Sequence, residues 1–121
     1  MSFPERQVAM LADIQEPGAR EFRVGEGDWP FRGFVVRWDG QVHAFVNSCA
    51  HAGHPLNIDP DKFFSPEKAL LLCTSHGAEF EPDTGICVGG PCMGARLTAL
   101  KCRVEDEKVF VRAPTSMRDL G

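Results

Sequence analysis

The chain of 121 residues lacks the features that mark several large classes of protein. It has no run of lysine or arginine and a formal net charge of −4, which argues against a nucleic-acid-binding surface. No apolar stretch approaches the length needed to span a bilayer, so we expect no membrane partner. The N-terminus carries neither a hydrophobic signal core nor a twin-arginine signal, and we therefore expect a cytoplasmic location.

Sequence motifs for catalysis are also missing. The sequence has no nucleotide-binding glycine pattern, no facial triad for mononuclear iron and no substrate-pocket motif. A chain of this length fits one domain with a modest core, which leaves no room for a second, catalytic domain. We therefore expect a protein that is not an enzyme by itself.

Two short segments each combine one cysteine with one histidine. Cys49 and His51 have the spacing C-x-H, and Cys73 and His76 have the spacing C-x-x-H. In such tight segments the thiolate and the imidazole diverge enough to bind two neighbouring metal ions. A two-iron cluster would then have both cysteines on one iron and both histidines on the other. A structural zinc site uses the same donors, and unligated core cysteines with surface histidines are a third interpretation.

The stretch after the second pair adds a further pattern, which consists of H-G, an aromatic residue, a T-G turn and a G-P loop. Together with the two pairs, it resembles the Rieske ferredoxin family, most strongly over residues 45–93. The matching positions are Cys49, His51, Gly53, Pro55, Leu56, Cys73, His76, Gly77, Phe80, Thr84, Gly85, Gly90 and Pro91. The resemblance implies one [2Fe-2S] cluster per chain, with Cys49, His51, Cys73 and His76 as its cofactor-binding and metal-binding residues.

Four departures from the high-potential members of that family bear on the reduction potential. His54 and Ser75 stand where those proteins have two further cysteines, so the disulfide between the cluster loops cannot form. Ala78 and Phe80 stand where they have a serine and a tyrosine whose hydroxyls donate hydrogen bonds to the cluster sulfurs. With fewer donors the reduced state is stabilised less, and we predict a potential near about −150 mV rather than about +300 mV.

Short alternating segments separated by glycine and proline predict an all-β sandwich or barrel. Residues 34–38 and 41–46 alternate on either side of Asp39-Gly40, which is a strong hairpin pattern. A second alternating run covers residues 96–104.

The resemblance implies a more definite fold class, with Rieske-type stacked antiparallel β-sheets and an inserted cluster-binding subdomain. Residues 1–121 would form a single Rieske [2Fe-2S] domain, with the insertion at about residues 48–92. His51 and His76 would lie at the tip of that insertion, with their outer ring nitrogens facing solvent.

Three cysteines lie outside the proposed ligand set. Cys87, Cys92 and Cys102 are expected to be free thiols in a reducing cytoplasm, with a redox-active Cys87–Cys92 pair as the alternative. Cys102 alternates with Leu100 and Val104, so its side chain is predicted to point inward.

Two other features leave alternatives open. His43 lies between Val42 and Ala44 in an alternating strand, and we expect it to be exposed to solvent. The segment 59–68, between the two cysteine–histidine pairs, is either a solvated loop or a docking surface beside the cluster.

The resemblance also implies transient protein partners. The first hypothesis is a soluble ferredoxin that carries electrons from a flavin-dependent reductase to a terminal oxygenase or similar enzyme. The alternatives are a small subunit of an assimilatory nitrite reductase-type complex and a cluster-bearing module that senses redox state.

Overall fold

The computed structural model describes residues 3–25, 30–47, 70–72, 78–90 and 95–115, and most of the regular structure within them is β-strand. The strands are β1 (Glu5–Met10), β2 (Gly18–Val24), β3 (Phe31–Trp38), β4 (Gln41–Val46), β5 (Leu71–Leu72), β6 (Glu79–Phe80), β7 (Cys87–Gly89), β8 (Ala99–Leu100), β9 (Cys102–Glu105) and β10 (Lys108–Arg112). One turn of 3-10 helix, Leu11–Asp13, follows β1. The expectation of an all-β fold is confirmed.

The strands form three antiparallel sheets. The largest has the order β2-β3-β4-β8, and a second sheet has the order β1-β10-β9. The third, which we call the small sheet, has the order β5-β6-β7 and lies between β4 and β8 in the sequence.

Two-residue turns join the strands of two hairpins, and the first is the turn predicted at Asp39-Gly40. The β3–β4 hairpin turns at Asp39 and Gly40, whose φ angles of 51° and 77° are those of a two-residue turn that matches strand twist. The β9–β10 hairpin turns in the same way at Asp106 and Glu107, with φ angles of 52° and 66°.

The predicted run over residues 96–104 is divided between two sheets rather than continuous. β8 pairs with β4, the chain breaks its strand geometry at Lys101, and β9 then pairs with β10. The thiol of Cys102 donates to the carbonyl oxygen of Val42 at 3.4 Å, which ties β9 to β4 across the change of sheet. Cys102 is partly buried as predicted, whereas Val104, two residues further along the edge strand β9, is 42% exposed.

The four-stranded sheet is covered on both faces, and its central strand alternates between them. Phe34 and Val36 face the small sheet, whereas Val35 faces the sheet formed by β1, β10 and β9. The buried cluster on the first side contains Ala19, Phe34, Val36, Phe45, Leu71, Ala78, Phe80, Cys87 and Leu97. The cluster on the second side contains Ile14, Phe22, Phe31, Val35, Ala44, Val46, Val109, Val111 and Ala113.

Close packing at Gly85 fixes the small sheet against the four-stranded sheet. Gly85 has a φ of +74°, and a Cβ there would lie 2.8 Å from the ring of Phe45. Its carbonyl oxygen accepts a hydrogen bond from the backbone N–H of Leu97 at 2.8 Å. Phe45 in turn packs against Phe34 with ring centroids 5.7 Å apart. The position therefore requires a residue without a side chain.

Candidate cluster site

The four predicted ligands, Cys49, His51, Cys73 and His76, lie outside the described residues. The structure therefore describes the strands that flank the ligand segments rather than the ligands themselves.

The segment that carries Cys73 and His76 joins two paired strand ends. Leu72, the last residue of β5, is the register partner of Glu79, the first residue of β6. Neighbouring strands of a sheet lie about 4.7–4.9 Å apart, so the segment starts and finishes at nearly the same place. The topology supplies a closed loop, from which the C-x-x-H pattern can present two donors.

The glycine-rich segment after β7 begins at the same end of the small sheet. Gly89 is the register partner of Glu79, so Leu72, Glu79 and Gly89 form one row across the three strands. Gly90 follows with a φ of +89°. On the far side of residues 91–94, the carbonyl oxygen of Ala95 accepts a hydrogen bond from the Cys87 backbone N–H at 2.7 Å. The strand register therefore places Gly89 next to the ends of the Cys73 segment.

The segment that carries Cys49 and His51 leaves from the end of β4. Asn47 is only 1% exposed, and its backbone N–H donates to the carbonyl oxygen of Arg32 at 2.9 Å. The N–H of Val46 donates to the carbonyl oxygen of Thr98 at 2.9 Å. The start of this segment is therefore held by hydrogen bonds on both sides.

The two described cysteines have other surroundings. Cys87 is buried in the core next to the small sheet, and its thiol donates to the carbonyl oxygen of Gly89 at 3.2 Å. Cys102 is half-buried, and burial raises the pKa of its thiol. Cys102 is a free thiol, as predicted, whereas Cys92 lies outside the described residues. The buried position of Cys87 favours the structural role over the redox-active pair.

Among the residues that the structure describes, no group of histidine, cysteine or acidic side chains is placed to hold a metal ion. His43, which was expected to be exposed, is half-buried beside its register partner Val36, because the small sheet covers that face. Whether the four predicted ligands suit a [2Fe-2S] cluster is therefore judged from the chemistry of their donor atoms. Two thiolates and two imidazoles suit a mixed-ligand two-iron cluster.

Ala78 and Phe80, which stand in place of the hydroxyl donors of high-potential relatives, are both fully buried. Each belongs to the apolar cluster between the small and the four-stranded sheets. Neither side chain can donate a hydrogen bond, and the low reduction potential stays a prediction.

Sequence patterns missed two ion pairs made by the largely buried carboxylate of Glu21. The Glu21 side chain is 10% exposed and lies 3.7 Å from Nη2 of Arg32 and 3.5 Å from Nε of Arg23. Arg32 is also the residue whose carbonyl oxygen holds Asn47. Alternating charges along an edge strand ordinarily indicate a solvated face, and only the pairing of β2 with β3 reveals this cluster.

Comparison with known proteins identifies the family. The family model of the Rieske [2Fe-2S] domain matches residues 6–111. The chain belongs to the Rieske [2Fe-2S] domain family. It therefore carries one [2Fe-2S] cluster, which takes up and releases one electron when bound.

Solved structures share the fold of this Rieske chain. The ferredoxin of carbazole 1,9a-dioxygenase from Nocardioides aromaticivorans IC177 is 24% identical, with a TM-score of 0.69 over 91% of this chain and 98% of that chain. A chain from a complex of reduced oxygenase and oxidized ferredoxin in carbazole 1,9a-dioxygenase is also 24% identical, with a TM-score of 0.68 over 93% and 96%. At these identities the similarity establishes the stacked-sheet fold.

A curated relative of the Rieske chain is apoptosis-inducing factor 3 of Homo sapiens, which is 29% identical over 109 residues and 90% of this chain. The chain spans 16% of the length of that relative. Within the described part of the Rieske chain, no helix is long and apolar enough to cross a membrane.

Proposed function

We propose that this Rieske chain is a one-electron carrier that takes electrons from a flavin-dependent reductase and delivers them to a terminal oxygenase or similar enzyme. The observation that carries the proposal is the fold, which matches the ferredoxin of carbazole 1,9a-dioxygenase over 98% of that ferredoxin's length. A ferredoxin acts on no substrate of its own, which agrees with the lack of catalytic motifs. On this proposal the chain is a component of an oxidoreductase system rather than an enzyme.

The proposed ligands are Cys49 and Cys73 on one iron and His51 and His76 on the other. In this proposal residues 48–92 form the cluster-binding subdomain within one domain of residues 1–121. The row formed by Leu72, Glu79 and Gly89 supports it, because the segments of the second ligand pair and of the glycine-rich loop both leave from that row.

Ligation by histidine would give this carrier a pH dependence. A ring nitrogen of His51 or His76 that does not bind iron can lose its proton to solvent. The charge of the iron favours that loss more in the oxidised state than in the reduced state. Reduction should then be coupled to proton uptake, and the midpoint potential should fall as the pH rises through the alkaline range.

A redox titration tests the carrier function directly. The purified protein should take up one electron per chain reversibly. A reductase that uses NAD(P)H and flavin should reduce it, and an oxygenase supplied with its substrate should reoxidise it. His76→Ala should abolish the reversible step, whereas His43→Ala, a histidine outside the proposed ligands, should retain it.

Three results would contradict parts of this proposal. A protein that cannot be reduced reversibly is not a carrier, and a potential that stays constant with alkaline pH argues against solvent-facing histidine ligands. If it undergoes reversible reduction but exchanges electrons with no reductase or oxygenase, the sensing alternative replaces the carrier. Specific electron transfer to a nitrite reductase large subunit would favour the other alternative.

We also propose a cytoplasmic location. The free thiol of Cys102 fits a reducing compartment. Cell fractionation with an antibody against the protein tests this, and recovery in an exported or membrane fraction would contradict it.

A further inference from the structure

The charge of the chain is distributed unevenly between its two parts. Residues 48–92 contain six carboxylates and two lysines, which amounts to −4 and equals the formal net charge of the whole chain. The remaining residues contain eleven acidic and eleven basic side chains. The part of the protein that contains the proposed ligands is therefore acidic, and the rest is neutral.

The small sheet is the described portion of this acidic part. Glu79 begins β6, and Glu81 and Asp83 follow in the turn between β6 and β7. Residues 70–72 and 78–90 contain no lysine or arginine. Three carboxylates are thus concentrated on one hairpin without a cation of its own.

The small sheet also has apolar side chains that lie outside the core. Phe80 and Cys87 point into the core, and a register shift between β6 and β7 leaves Val88 as an extra residue on β7. Val88 is 41% exposed, although most of the large apolar side chains of the described strands are buried or partly buried. Bulges of this kind commonly re-aim a side chain beside a functional site. Leu72, next to Glu79 in the register, is partly buried.

We infer that Leu72, Glu79 and Val88, with Glu81 and Asp83 at the rim, form the docking surface for a basic electron-transfer protein. We call these five residues the outer face. The inference rests on the proposed carrier function and adds to it the surface used and the charge of the partner. The outer face adjoins the strand ends from which the Cys73 and His76 segment leaves, so a partner bound there lies beside the proposed cluster.

The arrangement suits a transient complex. A small apolar centre with a charged rim excludes water at the contact, while the rim charges steer the approach and set the orientation. Because the rest of the chain is neutral, the acidic part alone would attract a basic partner and turn it toward the cluster.

Electron transfer from the dithionite-reduced protein to ferric cytochrome c, a basic haem protein, tests the inference by stopped flow at low ionic strength. One electron leaves the reduced cluster and converts one ferric haem to ferrous haem. Glu79→Gln/Asp83→Asn should lower the second-order rate about threefold to tenfold and flatten its dependence on salt. Asp106→Asn/Glu107→Gln also removes two negative charges, from the exposed β9–β10 turn, and should change the rate by less than about 1.5-fold.

Equilibrium binding to immobilised ferric cytochrome c, measured with the oxidised protein, provides a readout without electron transfer. Glu79→Gln/Asp83→Asn should bind about threefold to tenfold more weakly than the wild type. Val88→Thr, which keeps the side-chain shape, should weaken binding about twofold to fivefold at every salt concentration, because the apolar contribution is not screened.

Equal binding and equal rates for the wild type and Glu79→Gln/Asp83→Asn would overturn the outer face as the docking surface. An effect of Asp106→Asn/Glu107→Gln as large as that of Glu79→Gln/Asp83→Asn would also overturn it, because net charge alone would then explain the results. Reduction of the small anion ferricyanide is the reference reaction. If the reduced wild type reduces neither ferricyanide nor cytochrome c, the proposed carrier function is wrong. The binding measurement with the oxidised protein then still tests the docking surface.

Discussion

The carboxylate of Glu79 lies across the backbone of Gly89, so close that a Cβ built on Gly89 would be 3.2 Å from Oε1 of Glu79. The two residues are also register partners at the end of the small sheet. A negative charge is therefore placed where the chain leaves β7 for the glycine-rich segment. The contact differs in kind from the one at Gly85, where the neighbour is a buried aromatic ring.

Alanine substitutions at these two glycines should have unequal effects on stability. Gly85→Ala forces a side chain into a left-handed backbone conformation, with φ +74°, and into the ring of Phe45 at 2.8 Å. We expect it to lower the free energy of unfolding by about 2–4 kcal/mol. Gly89→Ala meets only the flexible end of Glu79 and should cost less than about 1 kcal/mol. Urea denaturation followed by circular dichroism measures both, and equal losses would show that the Gly85 contact is not rigid.

The aromatic contact between sheets should control retention of the cluster. Phe45→Ala removes a ring that packs on Phe34 and Gly85, and we expect a loss of about 3–5 kcal/mol in the free energy of unfolding. Because the small sheet rests on this ring, an iron chelator should bleach the visible absorbance of the variant faster than that of the wild type. Val104→Ala, at an exposed position, is the control and should change stability by less than about 0.5 kcal/mol. If the absorbance of Phe45→Ala were lost at the wild-type rate, the ring of Phe45 would not control retention of the cluster.

The reduction potential should respond to a hydroxyl at residue 78. Ala78→Ser restores a donor where high-potential relatives have one, and a net hydrogen bond of about 1–1.5 kcal/mol corresponds to a rise of about 40–65 mV for one electron. Ala99→Ser places the same group on exposed β8 and should leave the potential unchanged. Protein-film voltammetry measures both variants. A wild-type midpoint above about +100 mV would refute the hydrogen-bond explanation of a low potential.

An ion pair between β1 and β9 should make stability depend on acid pH. Arg103 donates hydrogen bonds to both carboxylate oxygens of Glu5, and this holds the pKa of Glu5 below its ordinary value. A carboxyl with a lowered folded-state pKa stabilises the fold above its unfolded-state pKa and loses that effect as the pH falls through the folded-state value.

The thermal midpoints of the wild type and of Glu5→Gln should therefore differ at pH 7 and converge in acid, below the ordinary pKa of glutamate at about 4.3. The difference should be small, because the pair is exposed and screened. A constant difference down to the most acidic pH would indicate that Glu5 acts through packing rather than charge.

Local chemistry explains which parts of the fold could be predicted. Asp39 and Gly40 accept positive φ angles in a two-residue turn, so the sequence specified the β3–β4 hairpin and its register. The run over residues 96–104 could not be placed correctly, since alternation indicates which face is buried but not which sheet a strand joins. His43 was misjudged for a related reason, because the small sheet covers a face that an isolated hairpin would expose.

The same distinction between local chemistry and long-range contacts applies to the cluster site. Spacing and donor chemistry identified the family and its cluster from Cys49, His51, Cys73 and His76, and the assignment of these residues as ligands stays a prediction. The buried Asn47 and the carboxylate of Glu79 escaped notice, because their roles depend on hydrogen bonds and register between distant segments. Such contacts leave no periodic pattern in a single sequence.

The most direct test of the account is low-temperature EPR of the dithionite-reduced protein, with resolution of nitrogen hyperfine couplings. We predict a cluster signal with couplings from two directly bound imidazole nitrogens, which is lost in His51→Ala and in His76→Ala but retained in His43→Ala. A cluster signal without nitrogen couplings, or a colourless and EPR-silent protein with stoichiometric zinc, would contradict the assignment of the four ligands.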